Sequence, residues 1–304
     1  MPTLIQKISY RGWPNCWRLS NGLIEAVVTA DVGPRVIRFG FAGGPNEFKE
    51  VAATLGLRGG RAWRSYGGHR LWHAPEDRKL SYIPDNSPVA VELIKGGLRF
   101  VQDTEKASGL RKEMELFMGA GPKLQVAYRL RNMGKRPSPR APWVLTVMAA
   151  GGRAIVPLPP YAPHPQKLWS QQHLVLWPFT EMNDPRWTWG NKYIQLRQDR
   201  RRSRSQKVGL AGPGNWAAYL RRGHLFIKKF KSLAGQPYPD RGCSTEIFTD
   251  SEMLELESLA PLVPIQPGKA ALHVEDWHLF RAVPAFRDDA GIDRHLVPRL
   301  RSCR

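Results

Sequence analysis

What most constrains this chain is the recurrence of short β-branched or alternating runs, each closed by Gly, Pro or Asn, with almost no window of apolar residues at helical spacing between them. Leu23–Thr29 and Arg35–Phe41 read as a hairpin around Gly33 and Pro34, which supply turn dihedrals that neither strand can. Val89–Ile94, Leu98–Gln102, Leu110–Phe117 and Leu124–Leu130 follow as a meander, and the last two alternate polar and apolar residues as a sheet with one wet face requires. The second half continues in the same way, through Leu174–Trp177, Tyr193–Leu196, Lys207–Leu210, Trp216–Leu220, Leu225–Phe230, Ser244–Thr249, Met253–Ser258 and Ala270–Glu275. Parallel sheets need long crossovers, and none are present, so the expected fold is all-β, a large antiparallel sandwich. Pro157, Pro159, Pro160, Pro163 and Pro165 predict that 153–165 is a stiff loop or the seam between two halves of that sandwich.

With 304 residues, 42% of them hydrophobic and 11 of them Trp, the chain can bury a substantial core, which excludes wholesale disorder. One domain is expected over residues 1–280, followed by a basic C-terminal tail, 281–304. No apolar stretch is long enough for a spanning helix, and the N-terminus lacks the pattern of a signal peptide, so no membrane partner and a cytoplasmic location are expected. Cys16, Cys243 and Cys303 are too scattered for a disulfide framework or a thiolate zinc site. The 46 Lys+Arg against 26 Asp+Glu give a formal charge of +20. Much of it sits in the run 197–207 and in the tail, where a solvated basic surface is the expected reading. The charge alone leaves nucleic acid as a partner to be tested by salt dependence.

Three clusters carry candidate chemistry. In Gly67–Glu76, an extended chain puts His69, Leu71 and His73 on one face and Arg70 and Trp72 on the other, with Glu76 close by in sequence. In 180–190, Asn183, Asp184, Arg186 and Trp187 combine amide, carboxylate, guanidinium and ring, the means by which proteins hold a sugar. In the third, Glu246 is followed by Glu255 and Glu257, two carboxylates on one strand face. If buried together, they raise one pKa and yield a general acid or base. His69, His73 and Glu76 match no named zinc spacing, and no phosphate-cradling glycine motif or nucleophile elbow occurs, so neither a metal nor a nucleotide cofactor is expected.

The order Gly33-Pro-Arg-Val-Ile, then His-Arg-Leu after a glycine pair, Tyr128-Arg-Leu-Arg-Asn132, Pro142-Trp-Val-Leu-Thr146 and Leu256-Glu-Ser258 resembles the galactose mutarotase-like superfamily, which includes the aldose 1-epimerases and uncharacterised bacterial members. The resemblance spans about residues 15–280 and implies a β-supersandwich with a carbohydrate ligand. Arg70 then stands in the place of a sugar-binding arginine, and Glu257 in that of the catalytic base. The family's acid histidine lies in Leu-Thr-Asn-His, where this chain has Leu145-Thr-Val-Met148, and a thioether transfers no proton. Two readings follow. One is an epimerase-like enzyme with Glu257 as base and His69 or His73 as acid, the ligand being held by Arg70, Trp72, Glu76, Asn183, Asp184, Arg186, Trp187 and Glu246. The other is a non-catalytic carbohydrate-binding module.

Overall fold

The computed structural model of the protein describes residues 3–170, 173–211 and 215–303. Two antiparallel sheets face each other. The larger begins with β1 (Leu4–Tyr10), β2 (Trp13–Ser20), β3 (Ile24–Thr29), β4 (Arg35–Phe41) and β5 (His69–Ala74). It continues with β10 (Ser138–Met148), β19 (Leu254–Leu259), β18 (Cys243–Thr249), β15 (Gln206–Ala211) and β12 (His173–Leu176), while β20 (Val263–Ile265) pairs with the start of β10. The smaller runs β13 (Trp187–Trp189), β14 (Tyr193–Arg197), β11 (Arg153–Pro157), β16 (Trp216–Arg221) and β17 (His224–Phe230). Its other half is β21 (Ala270–Phe280), β9 (Lys123–Asn132), β8 (Leu110–Met118), β7 (Gly97–Val101) and β6 (Ala90–Ile94). The all-β sandwich and its meander are thus as the runs predict.

The main core fills the space between the sheets. Strand β9 alternates strictly, turning Leu124, Val126, Tyr128 and Leu130 inward. Phe39, Phe48 and Phe226 meet the ring of Trp277 edge-on, with centroids 5.4, 5.3 and 5.9 Å away.

Three expectations need correction. Residues Arg153–Pro157 are a strand, because Pro157 stands at its end, where a missing N–H costs little. The basic tail is packed onto the fold. Phe286, Ile292, Leu296 and Cys303 are buried against Ile155, Trp216 and Ile227 on the outer side of the smaller sheet; Ile292 belongs to the first of two short helices, Asp289–His295 and Val297–Ser302, and the other three flank them. Its charges alternate with apolar anchors, so the segment is amphipathic as well as basic. The basic run divides likewise: Arg200, Arg201, Arg202 and Arg204 are exposed, but Lys207 lies within β15 and is buried.

Candidate functional site

The segment Gly67–Glu76 enters the larger sheet through two glycines with φ of +77° and +67°. An added Cβ there would stand 2.2 Å from the Lys49 carbonyl oxygen and 2.4 Å from that of Val36, so only glycine lets β5 pack this closely. From Gly68 the strand alternates. Arg70 and Trp72 project to the outer face of the larger sheet, while His69, Leu71 and His73 project towards the other sheet.

Register carries that outer face across five neighbours. Arg35 is opposite Arg70, Arg70 opposite Leu145, Leu145 opposite Glu257, Glu257 opposite Glu246, and Glu246 opposite Gly209. An adjacent row holds Val147, Glu255, Phe248 and Lys207. Residues far apart in sequence, at 70, 145, 207, 246 and 255, therefore share one surface, which strand pairing alone brings about.

A cavity of about 400 Å³ opens on this surface, and four tryptophans line it: Trp63, Trp72, Trp143 and Trp177. Between them lie Arg70, Lys207, Glu76 and Glu255, with Tyr82 at the side. The Arg70 guanidinium lies 3.7 Å over Trp72 and 5.2 Å from the centre of Trp63. Its Nε and Nη1 are buried with no hydrogen-bond partner among the described residues. Burial, and after it the charge of Arg35, lowers its pKa to about 10. Glu76 does not pair with Arg70; its Oε1 accepts from the Tyr82 hydroxyl at 2.5 Å.

Under the cavity, Lys207 Nζ lies 2.7 Å from Glu246 Oε2 and 3.0 Å from Glu257 Oε2, and Trp143 Nε1 donates to the same Glu257 oxygen at 2.8 Å. Burial works against the ammonium, yet the two carboxylates outweigh it and raise its pKa, so Lys207 is a permanent cation. One cation cannot compensate every carboxylate on this face. Glu246 is pushed well above the usual range by burial, against the pull of Lys207 and with Glu257 adding to the rise. Burial followed by the Glu257 charge brings Glu255 up to about 7. Glu246 Oε1 and Glu257 Oε1 are buried without hydrogen-bond partners among the described residues. Glu255 is the member of the trio that lines the cavity; Glu257 and Glu246 have no exposed surface.

The sequence candidates separate accordingly. Arg70, Trp72 and Glu76 line the cavity, and Glu246 and Glu257 lie beneath it. His69 and His73 are not with them, because strand alternation turns both away. His69 is fully buried between the sheets, its Nδ1 accepting from the Thr146 hydroxyl at 2.8 Å and its Nε2 donating to the Tyr128 oxygen at 2.5 Å. Burial holds it neutral, well below the ordinary pKa. His73 donates through Nε2 to the Leu80 carbonyl at 3.1 Å, and burial, helped by Lys112, lowers it to about 4. Neither ring can reach a molecule in the cavity. The same alternation corrects the reading of Met148, which is buried in the inter-sheet core; the β10 side chains on the cavity face are Trp143, Leu145 and Val147.

The 180–190 cluster is elsewhere. Trp187 and Trp189 do share a face, stacked with centroids 4.9 Å apart, but Trp187 belongs to the main core and donates to Gln206 Oε1 at 3.1 Å. Arg186 and Asp184 form a buried pair, with Arg186 Nε 3.0 Å from Asp184 Oδ1, and the same guanidinium donates to the carbonyls of Arg202 and Arg204. Their work is to anchor the basic loop, while Asn183 is exposed. Reading single segments misses Lys207, Trp63, Tyr82, Trp143 and Trp177, and gives Glu255 no more weight than Glu257. The one available signal is parity, since Lys207, Glu246, Glu255 and Glu257 each sit among residues that alternate with core positions. Among the described residues, no group of three or more metal-ligating side chains is suited to holding an ion.

No family model matches the chain, and no curated protein matches its sequence. Solved structures do. A galactose mutarotase-like protein from Lactobacillus casei superposes with a TM-score of 0.58 at 11% identity, covering 88% of this chain and all of its own. The Slr1438 protein of Synechocystis gives 0.56 at 12% identity, covering 91% and 99%, and a galactose mutarotase-like protein of Clostridium acetobutylicum 0.53 at 9%, covering 92% and 99%. The chain therefore has the galactose mutarotase-like fold, as its motifs suggest.

Proposed function

We propose that this chain binds a carbohydrate in the outer-face cavity, and that Glu255 is the group that exchanges protons with it. The observation that carries the reading is the lining itself, four indole rings around the Arg70 guanidinium and a carboxyl that titrates near neutrality. Indole faces stack on the axial C–H groups of a pyranose, and the Arg70 guanidinium on the cavity wall supplies a cationic donor group for its hydroxyls. The fold shared with galactose mutarotase-like proteins supports the same class of ligand.

Glu257 suits the base role less well than its place in the Leu-Glu-Ser motif implies. It lies behind Lys207 and Trp143, which fix its orientation and tie up one of its oxygens. Anomerisation needs a base at the anomeric hydroxyl and an acid at the ring oxygen. A carboxyl with a pKa of about 7 can serve at either place, but among the described residues no imidazole lines the cavity to serve at the other. The reading is thus a sugar-binding protein whose mutarotation is slow, as the second reading, an epimerase, is favoured only by the tuning of Glu255. Titration calorimetry with aldoses and sugar acids tests it. Saturable binding lost in Arg70→Met supports the assignment, and a panel without a single binder sinks it. Polarimetry decides between the readings: fast mutarotation of glucose or galactose that disappears in Glu255→Gln establishes the enzyme.

A further inference from the structure

A second cavity, of about 280 Å³, lies where β11, β14 and β16 meet the segment leading into the C-terminal helices, and it shares no lining residue with the first. Five of its side chains are arginines: Arg153, Arg197, Arg221, Arg222 and Arg287. Their positions are fixed by the fold. Arg153 pairs in register with Arg197 on one side and Leu220 on the other. Arg221 and Arg222 lie at the β16–β17 turn, where Arg222 has a φ of +50° and Gly223 of +73°. Arg287 follows Phe286, whose buried ring seats the tail.

Carboxylates do not balance these charges. Arg197 pairs with Asp199 at 2.9 Å, and Arg221 reaches Glu47 at 3.5 Å, but Glu47 also receives His224 at 2.5 Å. Arg153, only partly exposed, spends Nη1 on two neutral oxygens, Thr188 Oγ1 at 3.2 Å and Gln195 Oε1 at 3.4 Å. Among the described residues, Arg222 and Arg287 have no ion pair at all. Burial, and after it the nearby charges of Arg197 and Arg287, lowers the Arg153 pKa. Surface arginines free to move would separate, whereas these stand around one concavity on strands and on a tail anchored by its core.

We propose that this cavity binds a phosphate-type dianion, inorganic phosphate or a phosphomonoester. A dianion with three or four oxygens can accept from several planar guanidinium forks at once, and it offsets more of the surplus charge than one carboxylate can. The concavity suits a single small oxyanion better than a duplex, whose phosphates need a long basic track.

The test is titration calorimetry of the full chain with inorganic phosphate and with glycerol phosphate, against sodium chloride of equal ionic strength. Arg153→Gln, Arg287→Gln and, as a control outside the cavity, Arg200→Gln are measured alongside. The expected result is saturable binding at one site, weakened at least tenfold in both cavity variants and unchanged in Arg200→Gln. Tighter binding of the ester than of inorganic phosphate identifies the source as an organic phosphate, and the reverse identifies the free ion. Should Arg153→Gln fail to fold, Arg287→Gln alone decides, because that side chain is exposed. Failure of both anions to bind, an equal loss in Arg200→Gln, or tight binding of an oligonucleotide without binding of either phosphate overturns the proposal.

Discussion

Strand β19 separates two buried lysine–glutamate clusters that are built from the same residue types and behave in opposite ways. On the inner face, Lys228 lies 2.8 Å from Glu275 Oε1 and donates to Thr146 Oγ1 and to the Leu256 carbonyl, each at 3.1 Å. Glu275 receives Ser258 at 2.5 Å, Tyr128 at 3.0 Å and Trp277 at 2.8 Å, while His273 donates to the Ser258 oxygen. Among the described residues, no buried side-chain nitrogen or oxygen of Lys228, Glu275, Ser258, Tyr128 or Trp277 lacks a hydrogen-bond partner. Burial pushes the Glu275 carboxyl up, but the Lys228 charge and hydrogen bond lead the opposing influences and bring it down to about 2. On the outer face, Lys207 meets more carboxylates than it can satisfy, and Glu255 moves the other way, to about 7. A closed network holds the sheets together, whereas an incomplete one leaves groups poised for a molecule from outside.

The inner network supplies the largest expected effect. Lys228→Met leaves a buried carboxylate with no cation, and removing one partner of a buried pair costs about 3–5 kcal/mol. The denaturation midpoint of the variant should fall accordingly. Glu275→Leu added to Lys228→Met should recover part of that loss, since no charge then remains unpaired. A single variant as stable as the natural protein would show that the inner cluster is as loose as the outer one.

The pH dependence distinguishes the clusters next. Glu275 has a folded pKa below its unfolded one, so its contribution is present above about 4.5 and is lost as pH falls towards about 2. Glu255 has a folded pKa above its unfolded one, so the folded state holds the extra proton and stability falls as pH rises from about 4.5 to about 7. That shift corresponds to a loss of up to about 3 kcal/mol. Glu255→Gln cannot titrate, so its stability relative to the natural protein should improve across this interval. Denaturant curves at pH 5 and pH 8 give the answer, and an unchanged difference would mean that Glu255 is ionised throughout, like an ordinary surface carboxylate.

How far the sequence discloses these clusters follows from parity and register. Alternation within a strand is local, so Leu110–Phe117 and Leu124–Leu130 declare their faces, and Glu255 and Glu257 are rightly placed together. The split of His69 and His73 from Arg70 and Trp72 is likewise visible, but which face looks outward is not, since both are buried. Pairing between distant strands is set by the whole sheet. Nothing near Lys207 announces Glu246, and Lys207 ends a run of arginines that suggests solvent. The aromatic pair at 187 and 189 misleads for a related reason, because tryptophan serves a core and a sugar site with the same chemistry.

The smallest expected effect comes from the charges that precede Lys207. Arg200 and Arg201 are exposed, and the loop that carries them is held from below by Arg186, which is buried, paired with Asp184 and bonded to the carbonyls of Arg202 and Arg204. Those bonds use the backbone of the loop and not its guanidinium groups. Exposed cations without carboxylate partners are screened by salt and add little to a fold. Replacing Arg200 and Arg201 together by Ser should therefore move the melting temperature by about 2 °C or less, as expected for surface positions. Arg186→Met, two strands away in sequence and fully out of solvent, should lower it several times more. A larger shift from the exposed pair than from Arg186 would mean that side-chain charge, and not the buried anchor, orders the segment leading into Lys207, and the outer cluster would then depend on the loop in front of it.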